Sequence, residues 1–445
     1  MDALLKKVLE RVKPLEVQVH EVEGVVKRLN TALHVANIDA ECVIGGSFAK
    51  GTFLKNDHDV DMFVRFDVRK YHDLPISDVL EPILNSLFKD VERIHGSRDY
   101  FQFVGSHFST SHGQERKLNS SKMCVPESEN DFFFEVIPVL RISEYKEAKN
   151  VTDMSPFHVD YVKRKIAKKP FMVDEIRLLK VFCKSVGVYG AESFVQGFSG
   201  HVIDLLILHA GSFKALIQEA SEWGNSVVID SEGHHKDPLK ALNPSKLVSP
   251  LVIVDPIQPD RNAAASVSDK SFEKFKEACR GFLLHPSEEF FILKHIDWEA
   301  VVLKHKKEWV LGLDIKPLEG KADVVGTKVL RVFEQLKERL EEHEFKILED
   351  GFEFGEENSI LYFVVKKAKL SNTVLHQGPP LKNKEDAQNF KEKHKEAYEE
   401  KGRLWVKLKR KYLEPKSLIE HIIQDKYVTE RIKGIAWLHH EPIIE

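Results

Sequence analysis

The sequence predicts an α+β protein of several domains, and three observations support this prediction. The chain has 445 residues, which at roughly 150 residues per domain corresponds to about three domains. Its 42% hydrophobic and 31% charged residues are typical of a folded globular protein and exclude an intrinsically disordered chain. Apolar residues recur at helical spacing in some segments and form short continuous runs in others, so both helices and strands are expected.

The net charge and the cysteine pattern exclude several classes of protein. A net charge of −4 gives no general attraction to a polyanion, so any binding of nucleic acid must depend on local positive charge. Cys42, Cys124, Cys183 and Cys279 form no CxxC pair, which argues against a zinc knuckle or a disulfide scaffold and favours a reducing compartment. No run approaches 18 apolar residues, so we expect no signal peptide or membrane contact and a cytoplasmic protein.

The first third of the chain is predicted to alternate helices and strands. Residues 5–12 and 22–33 carry apolar side chains at helical spacing, so two helices precede the first strand. The polar stretch 107–130 shows no periodicity and is predicted to be a loop or a hairpin. The other expected elements are strands at 42–44, 60–66, 101–104 and 132–139 and a helix at 76–91.

The remaining chain is predicted to be helical at first and mixed afterwards. Residues 151–220 show helical periodicity, and Ser199 is a suitable N-cap for the apolar helix at 201–210. Residues 230–250 are rich in His, Lys and Pro and are interpreted as a linker. Later expected elements are strands at 251–254 and 404–412, helices at 272–282, 329–340, 386–401 and the C-terminus, and a hairpin of 345–348 with 360–365.

The strongest chemical signal is a glycine-serine turn that is followed by an Asp-x-Asp pair. The turn Gly45-Gly46-Ser47 opens a helix and can offer backbone N–H groups and a hydroxyl to a phosphate. Asp59 and Asp61 are two residues apart on a predicted strand, so their carboxylates share one face. Two neighbouring carboxylates are costly without a cation between them, and Mg²⁺ prefers oxygen ligands and phosphates. The pair therefore predicts a Mg²⁺ site.

A third carboxylate is predicted on a neighbouring strand. Glu135 is a single acid in the apolar run 132–138, and a lone buried acid is expensive without a partner. Together with Asp59 and Asp61 it would hold two metal ions, one activating an attacking hydroxyl and one stabilising pyrophosphate as the leaving group. The order of turn, Asp pair and distal acid is typical of a polymerase-β-like nucleotidyltransferase head. Asp57, two residues before Asp59, continues the spacing of the Asp pair but is interpreted as an exposed acid.

Beyond these motifs, the sequence resembles the archaeal-type (class I) CCA-adding enzymes, a family of tRNA nucleotidyltransferases. The similar segments follow one another in family order over nearly the whole chain, which makes the resemblance specific. They are GGSFAKGTFLKNDHDVDMFVRF at 45–66, TDMSPFH at 152–158, RLLK at 177–180, GVYGAE at 187–192, GFSG at 197–200, VDP at 254–256, PDRN at 259–262, DGFEFGEE at 350–357, GPP at 378–380 and KLKRKY at 407–412.

The resemblance implies an activity, a domain order and further site residues. It implies addition of C, C and A to the tRNA 3′ end from CTP and ATP, release of pyrophosphate, contact with the acceptor stem and elbow of tRNA by shape, and a homodimer. It implies a catalytic head at 1–149, a helical neck at 150–245, a body at 246–316 and 400–445, and a tRNA-binding tail at 317–399. The implied catalytic metal ligands are Asp59, Asp61 and Glu135, and the implied nucleotide-binding residues are Gly46, Ser47 and Lys50 at the triphosphate, His158, Lys180 and Tyr189 at the incoming nucleotide, and Arg261 at the base.

Departures from the family pattern leave two other interpretations open. Glu135 stands where the family usually has Asp, Lys50 where Arg is common, and Met154 where Arg is usual, and residues 105–130 form a longer connection. A catalytically impaired tRNA-binding paralogue is one alternative. A poly(A) polymerase-like nucleotidyltransferase or a relative of oligoadenylate synthetase is the other, and it would share the head but not the GFEFGEE and GPP segments.

Positive charge is concentrated in two segments that could contact RNA. Residues 161–184 hold eight basic and two acidic residues, a net charge of +6, and residues 382–416 hold twelve basic and seven acidic residues, a net charge of +5. Lys407, Lys409 and Lys411 alternate along a predicted strand, where they suit a phosphate backbone. The alternative is that they protect an exposed edge strand from aggregation.

Overall fold

The computed structural model of the protein describes residues 1–14, 16–55, 57–105 and 132–438. The chain divides into two compact units, Met1–Lys294 and His295–Glu445. The predicted division into head, neck, body and tail is finer than this and stays a prediction. The predicted loop at 107–130, which includes Cys124, lies outside the described residues.

The described part of the first unit contains both helices and strands. Its helices are α1 (Asp2–Val12), α2 (Glu16–Val35), α3 (Gly46–Lys50), α4 (Val68–Tyr71), α5 (Ile76–Leu87), α6 (Ser155–Lys168), α7 (Met172–Val186), α8 (Gly200–Ala210), α9 (Phe213–Ser221), α10 (Pro238–Ala241) and α11 (Asp269–Leu284). Its strands are β1 (Ala40–Ile44), β2 (Asp59–Asp67), β3 (Glu92–Ile94), β4 (Tyr100–Gly105), β5 (Phe132–Arg141), β6 (Val227–Ile229) and β7 (Leu251–Ile253). Short 3₁₀ helices span Tyr145–Glu147, Val151–Met154, Pro244–Lys246 and Glu288–Phe291.

The second unit is also mixed. Its helices are α12 (Trp298–Lys304), α13 (Ala322–Glu342), α14 (Lys384–Lys393), α15 (Pro415–Ile422) and α16 (Lys426–Thr429). Its strands are β8 (Trp309–Pro317), β9 (Ile347–Glu353), β10 (Ser359–Val365), β11 (Thr373–Pro380), β12 (Tyr398–Glu400), β13 (Arg403–Lys409) and β14 (Ile432–Trp437).

A five-stranded sheet in the order β1-β2-β5-β4-β3 positions the predicted carboxylates. Strands β2 and β5 are parallel and the other pairs are antiparallel. Val60 and Met62 are fully buried in the core that the sheet forms with α2 and α5. Because side chains alternate along a strand, Asp59 and Asp61 must project from the opposite face. The core therefore determines which face carries the acids.

The helical part of the first unit is built around α7, α8, α9 and α11. Helix α1, from the start of the chain, packs on α7 through Leu5 and Val8, so the N-terminus belongs to this part. A parallel pair of short strands, β6 and β7, lies beside it. Ser199 caps α8 as predicted, because its side-chain oxygen accepts a 3.3 Å hydrogen bond from the N–H of Val202.

The second unit contains two antiparallel sheets. The strand order β14-β8-β10-β9 forms a four-stranded sheet whose buried side chains pack with those of α13 and α15. The order β11-β13-β12 forms a three-stranded sheet with α14 beside β11. Arg410, which follows β13, is buried and donates to the carbonyl oxygens of Ser371 and His343, so it joins the start of the β11 segment to the end of α13.

Several local predictions are wrong, and tertiary contacts explain most of them. The helix predicted at 76–91 ends at Leu87, since Phe88 is extended and stacks on Phe103 at 4.1 Å between ring centroids. The predicted linker at 230–250 is structured: the Nε2 atoms of His234 and His235 lie 3.2 and 2.7 Å from carbonyl oxygens of the 256–259 loop. The helix predicted at 386–401 is replaced by β12 in its second half, and β14 follows the C-terminal helices.

Among the described residues, no single helix is both long and apolar enough to span a membrane. The neighbouring helices α8 and α9 reach that length and composition only when taken together, across a bend of 93°.

Candidate active site

The glycine-serine turn lies directly against strand β2. The backbone N–H of Gly45 donates a 2.7 Å hydrogen bond to the carbonyl oxygen of Asp61. A Cβ atom at Gly46 would lie 1.7 Å from Asp61 Oδ2, and one at Gly45 would lie 2.4 Å from the Phe63 ring. Gly46 also has a φ of +50°, which disfavours other residues. Both glycines are therefore required by the close approach of the turn, which places half-buried Ser47 at the start of α3.

The three predicted metal ligands lie on one face of the sheet. Asp61 on β2 is the register partner of Glu135 on the parallel strand β5, and Asp59 precedes Asp61 by two residues. On its other side Glu135 faces Gln102 of β4, whose Nε2 donates a 2.5 Å hydrogen bond to Glu135 Oε1. Asp59 is exposed, whereas Asp61 and Glu135 are half-buried. The sheet thus supplies an acid from each of two adjacent strands.

The charge of the Asp pair is unfavourable in the metal-free protein. Burial raises the pKa of Asp61, and the negative charge of Asp59 raises it further, although Lys50 and Lys180 act in the opposite direction. The pKa of Asp59 is also raised, because nearby protein atoms desolvate its carboxylate even though the residue as a whole is exposed, and the charge of Asp57 adds to this. Carboxylates that repel one another in this way are suited to a bound cation. The oxygen donors, with room made for them by Gly46, fit a hard divalent metal.

Lys50 reaches from the turn to the helical part of the first unit. Its Nζ donates a short hydrogen bond to Oδ2 of Asp204, which is buried on α8. Lys50 also lowers the pKa of Asp61 by its charge. The predicted triphosphate-binding lysine is thus held between an acid of α8 and the Asp pair.

Asp57 is not an exposed acid as predicted but the partner of two lysines. Its Oδ2 accepts a 3.1 Å bond from Lys180 Nζ and its Oδ1 a 2.6 Å bond from Lys184 Nζ. Burial alone would raise the pKa of Asp57, but the two lysines and the N–H of Leu54 bring it down to about 2. Lys180 is itself buried on α7, and burial lowers its pKa. The spacing could not reveal this pair, because α7 lies more than 120 residues away.

Tyr189 lies beside these lysines in the turn that follows α7. Its ring centroid is 5.2 Å from Lys184 Nζ and 6.0 Å from Lys180 Nζ. Burial raises the pKa of its phenol, and the charges of Asp57 and Asp204 raise it further. The phenol therefore keeps its proton near neutral pH and can donate a hydrogen bond. Tyr189 belongs to the same charged region as Lys50 and Lys180.

His158 and Arg261 meet at a buried acid of the VDP segment, Asp255, to which the sequence assigns no role. His158 Nε2 lies 3.0 Å from both carboxylate oxygens of Asp255, and Arg261 Nη1 lies 2.7 Å from Oδ2. His201 Nε2 lies 3.7 Å from the same oxygen. Among the described residues, His158, His201 and Asp255 form one group of potential metal ligands, because one ligand atom of each lies within 4.8 Å of the other two. The two predicted nucleotide contacts are therefore joined through Asp255.

The residues missed from the sequence are Asp204, His201, Asp255 and Gln102. For Asp204 a signal was present, since it is the single acid of a mainly apolar helix, a pattern similar to the one that identified Glu135. Asp255 comes two residues after the buried strand β7, which is another place where a lone acid requires a partner. The positions of His201 and Gln102 depend on packing and carry no comparable signal.

Three family descriptions match successive parts of the chain. Residues 21–183 match a nucleotidyltransferase domain, residues 174–292 match the second domain of tRNA nucleotidyltransferase, and residues 321–433 match the C-terminal domain of CCA-adding enzyme. Together these matches cover most of both units.

Individual relatives agree with these matches. The chain is 29% identical to a CCA-adding enzyme of Methanosarcina barkeri over 93% of this chain and 87% of that one. It is 30% identical to a CCA-adding enzyme of Saccharolobus solfataricus over 84% and 81% of the two chains. Among solved structures, the Cid1 poly(U) polymerase aligns with a TM-score of 0.50 at 12% identity over 65% of this chain and 98% of that one, a likeness of fold alone.

Proposed function

This chain belongs to the archaeal-type CCA-adding enzymes, and we propose that it adds C, C and A to the 3′ end of tRNA from CTP and ATP with release of pyrophosphate. The family matches confirm the predicted α+β fold with a polymerase-β-like nucleotidyltransferase head and the prediction that the protein is a nucleotidyltransferase. The observation that carries the proposal is the register of Asp61 with Glu135 beside the Gly46 turn.

Asp59, Asp61 and Glu135 are the proposed ligands of Mg²⁺. Their donors are all carboxylate oxygens, which Mg²⁺ prefers, and the raised pKa values of Asp59 and Asp61 indicate a site that favours a cation. When bound in a two-metal arrangement, the ions would activate the 3′ hydroxyl of the tRNA and neutralise charge on the departing pyrophosphate. Gln102 orients the Glu135 carboxylate by its 2.5 Å hydrogen bond.

Lys50, Lys180 and Ser47 are proposed to hold the triphosphate. Lys50 and Lys180 are each fixed by an acid, Asp204 and Asp57 respectively, so their ammonium groups are already positioned before a nucleotide arrives. A preset cation loses less conformational entropy when it binds. The turn adds the Ser47 hydroxyl and the backbone N–H groups at the start of α3.

Tyr189, His158 and Arg261 are proposed to contact the nucleoside part. Tyr189 can donate through its phenol, whose pKa is raised, and Arg261 offers a planar set of donors to the edge of a base. Arg261 retains 36% side-chain exposure, so part of its guanidinium is accessible to a ligand. We propose that these side chains share the reading of the base with the 3′ end of the RNA.

The second unit is proposed to bind the acceptor stem and elbow of tRNA. Lys407 and Lys409 are exposed and alternate along β13, opposite exposed Leu375 and Thr373 of β11. Both side chains project from the same face of the three-stranded sheet, because side chains alternate along a strand, and their exposure places their ammonium groups in solvent. Lys411 lies beyond β13 and is not part of this strand face.

A homodimer is also part of the proposed function. Light scattering of the purified protein would detect it.

The decisive experiment supplies labelled CTP or ATP to three tRNAs that end before the CCA, after its first C and after its second C. With Mg²⁺ the first should accept two C residues, the second one C and the third one A, and synthesis should then stop. A long adenylate tail would indicate a poly(A) polymerase-like enzyme instead. Tight binding of all three tRNAs without any addition would identify an impaired paralogue and contradict the proposal.

A further inference from the structure

Asp255 is a buried carboxylate that joins two separate elements. It follows β7 and has no exposed surface. Its oxygens accept from His158 Nε2 at 3.0 Å and from Arg261 Nη1 at 2.7 Å. The backbone N–H groups of Ile257 and Gln258 donate to Oδ1 at 2.9 and 3.1 Å. A fully buried charge that has four donors is held in one orientation, and it holds its donors in turn.

A second histidine extends this cluster towards the catalytic sheet. His201 Nε2 lies 3.7 Å from Asp255 Oδ2, and its ring centroid is 4.5 Å from that of His158. His201 and Asp204 are three residues apart on α8, so they share a helix face. Asp204 binds Lys50, which follows the glycine-serine turn. One face of α8 thus connects Asp255 to the predicted triphosphate-binding lysine.

The charges of the cluster argue against a metal ion among His158, His201 and Asp255. The three ligand atoms are close enough for one, but the permanent positive charge of Arg261 already lies 2.7 Å from Asp255 Oδ2. A divalent cation at the same oxygen would be repelled by that guanidinium. The cluster is better suited to orienting cationic and polar side chains for an anionic ligand.

We propose that Asp255 is a positioning residue for the incoming nucleotide, which it serves by orienting His158 and Arg261 together. This inference rests on the proposed function of both residues as nucleotide contacts. Because one carboxylate anchors both side chains, its loss should weaken CTP and ATP binding alike rather than change the preference between them. Burial alone would raise the pKa of Asp255, but its hydrogen bonds and charge interactions with His158 and His201 hold that pKa far below its usual value. Asp255 is therefore ionised at neutral pH.

The test is Asp255→Asn, measured in nucleotide addition and in equilibrium binding of CTP and ATP. The KM and the Kd for both nucleotides should rise about tenfold or more, which is the range of one lost charged hydrogen bond. The kcat and the Kd for tRNA should stay within about threefold, since the carboxylates of the sheet are untouched. In a His158→Gln background, Asp255→Asn should raise the nucleotide KM by a smaller factor than it does in the wild type. Both substitutions remove the same contact, the one between His158 and Asp255.

Asp153→Asn is the matched control. Asp153 is also fully buried and also pairs an arginine, Arg98, with backbone N–H groups, including that of Leu140 at 2.8 Å. A purely structural effect would lower the Tm of both variants and change their nucleotide KM values equally. Asp255→Glu keeps the negative charge but moves it by one methylene. Its nucleotide KM and Kd values should lie between those of the wild type and those expected for Asp255→Asn, which tests the inference if the Asn variant does not fold.

Unchanged nucleotide KM and Kd values in folded Asp255→Asn, or the same KM change in Asp153→Asn, would overturn the inference. Failure of the proposed function would appear in the wild-type protein, which would then not complete the CCA end. Failure of the inference on Asp255 would appear in the Kd of CTP and ATP. The Kd measurement requires no turnover, so it distinguishes the two failures.

Discussion

Asp61 on β2 and Glu135 on β5 are register partners on adjacent parallel strands. One residue lies in an Asp-x-Asp motif and the other is a lone acid more than 70 positions later, yet the sheet places them side by side. The Gly46 backbone closes on Asp61 from the turn. This arrangement holds negative charge in a partly buried site. Removing one of these charges should therefore stabilise the metal-free protein but abolish its activity.

Asp61→Asn should make the metal-free protein more stable while abolishing nucleotide transfer. The pKa of Asp61 is raised in the folded state, so its ionised form disfavours folding at neutral pH and a neutral amide removes that cost. We expect a Tm in EDTA that is higher by about 2 °C or more and a transfer rate lower by about a thousandfold. Binding of tRNA should persist.

Adding Mg²⁺ provides the control for Asp61→Asn. A ligand that binds only the folded state raises its stability, so Mg²⁺ should raise the Tm of the wild type more than that of the variant. Equal Mg²⁺ shifts together with retained transfer would show that Asp61 is not a metal ligand.

Gly46→Ala should damage catalysis more than its effect on backbone strain explains. The new Cβ would lie 1.7 Å from Asp61 Oδ2, so the carboxylate must move. A displacement of this size costs about a hundredfold in rate. Gly51→Ala is the control, because Gly51 has a φ of +67° but nothing within 4 Å of the added Cβ. Both variants carry the same kind of backbone strain of about 1 kcal/mol, and similar single-turnover rates in the two would contradict the expectation.

Gln102→Leu should raise the Mg²⁺ concentration needed for half-maximal activity. Gln102 donates to Glu135 at 2.5 Å, and removal of a hydrogen bond to a metal ligand typically lowers metal affinity about 10- to 100-fold. The measurement is a Mg²⁺ titration of CTP addition. Gln388→Leu, on an exposed face of α14, is the matched change and should leave the titration curve unaltered. The assignment of Glu135 as a ligand would be wrong if both variants behaved alike.

Asp57→Asn should destabilise the protein at neutral pH and lose that effect in acid. The folded pKa of about 2 lies below the ordinary value of 3.8. The carboxylate therefore contributes stability above pH 4, and the contribution disappears as the pH falls from 4 towards 2. At pH 7 the loss should be about 2 kcal/mol in urea unfolding.

Asp78→Asn is the comparison for Asp57→Asn. Asp78 also forms an ion pair, with Arg93, but its side chain is 55% exposed, so its loss should stay below about 1 kcal/mol. If both substitutions lowered the free energy of unfolding equally at pH 7, the pairs of Asp57 with Lys180 and Lys184 would contribute no more stability than an exposed ion pair.

Lys407→Ala combined with Lys409→Ala should weaken tRNA binding without changing kcat. Each lost phosphate contact reduces the slope of log Kd against log salt by about 0.7 to 0.9, so the double variant should lower the slope by between about 1 and 2. Lys426→Ala with Lys433→Ala removes equal charge from lysines that already pair with Glu430 and Glu319. The predicted RNA surface is wrong if the control pair lowers the slope as much.

The elements that follow from neighbouring residues could be predicted. Alternating apolar residues on β2 identify the face of Asp59 and Asp61, and the apolar run around Glu135 identifies it as an acid that needs a partner. Helical spacing identifies α1, α2 and α7 for the same reason, since the signal lies within a few turns of chain. The local pattern does not predict strands β3, β6, β8, β11, β12 and β14. Of these, β12 is short and exposed, and β14 is held by its pairing with β8.

The contacts that complete the candidate site lie beyond such local signals. Lys50 pairs with Asp204 across 154 positions, and His158 pairs with Asp255 across 97. No spacing rule connects them, because a buried charge requires only that some partner be present, and helix packing selects which one. The chemistry of the carboxylates could thus be read from the order of the residues. The partners that hold each lysine, histidine and arginine in place exist only once α7, α8 and the loop after β7 have packed.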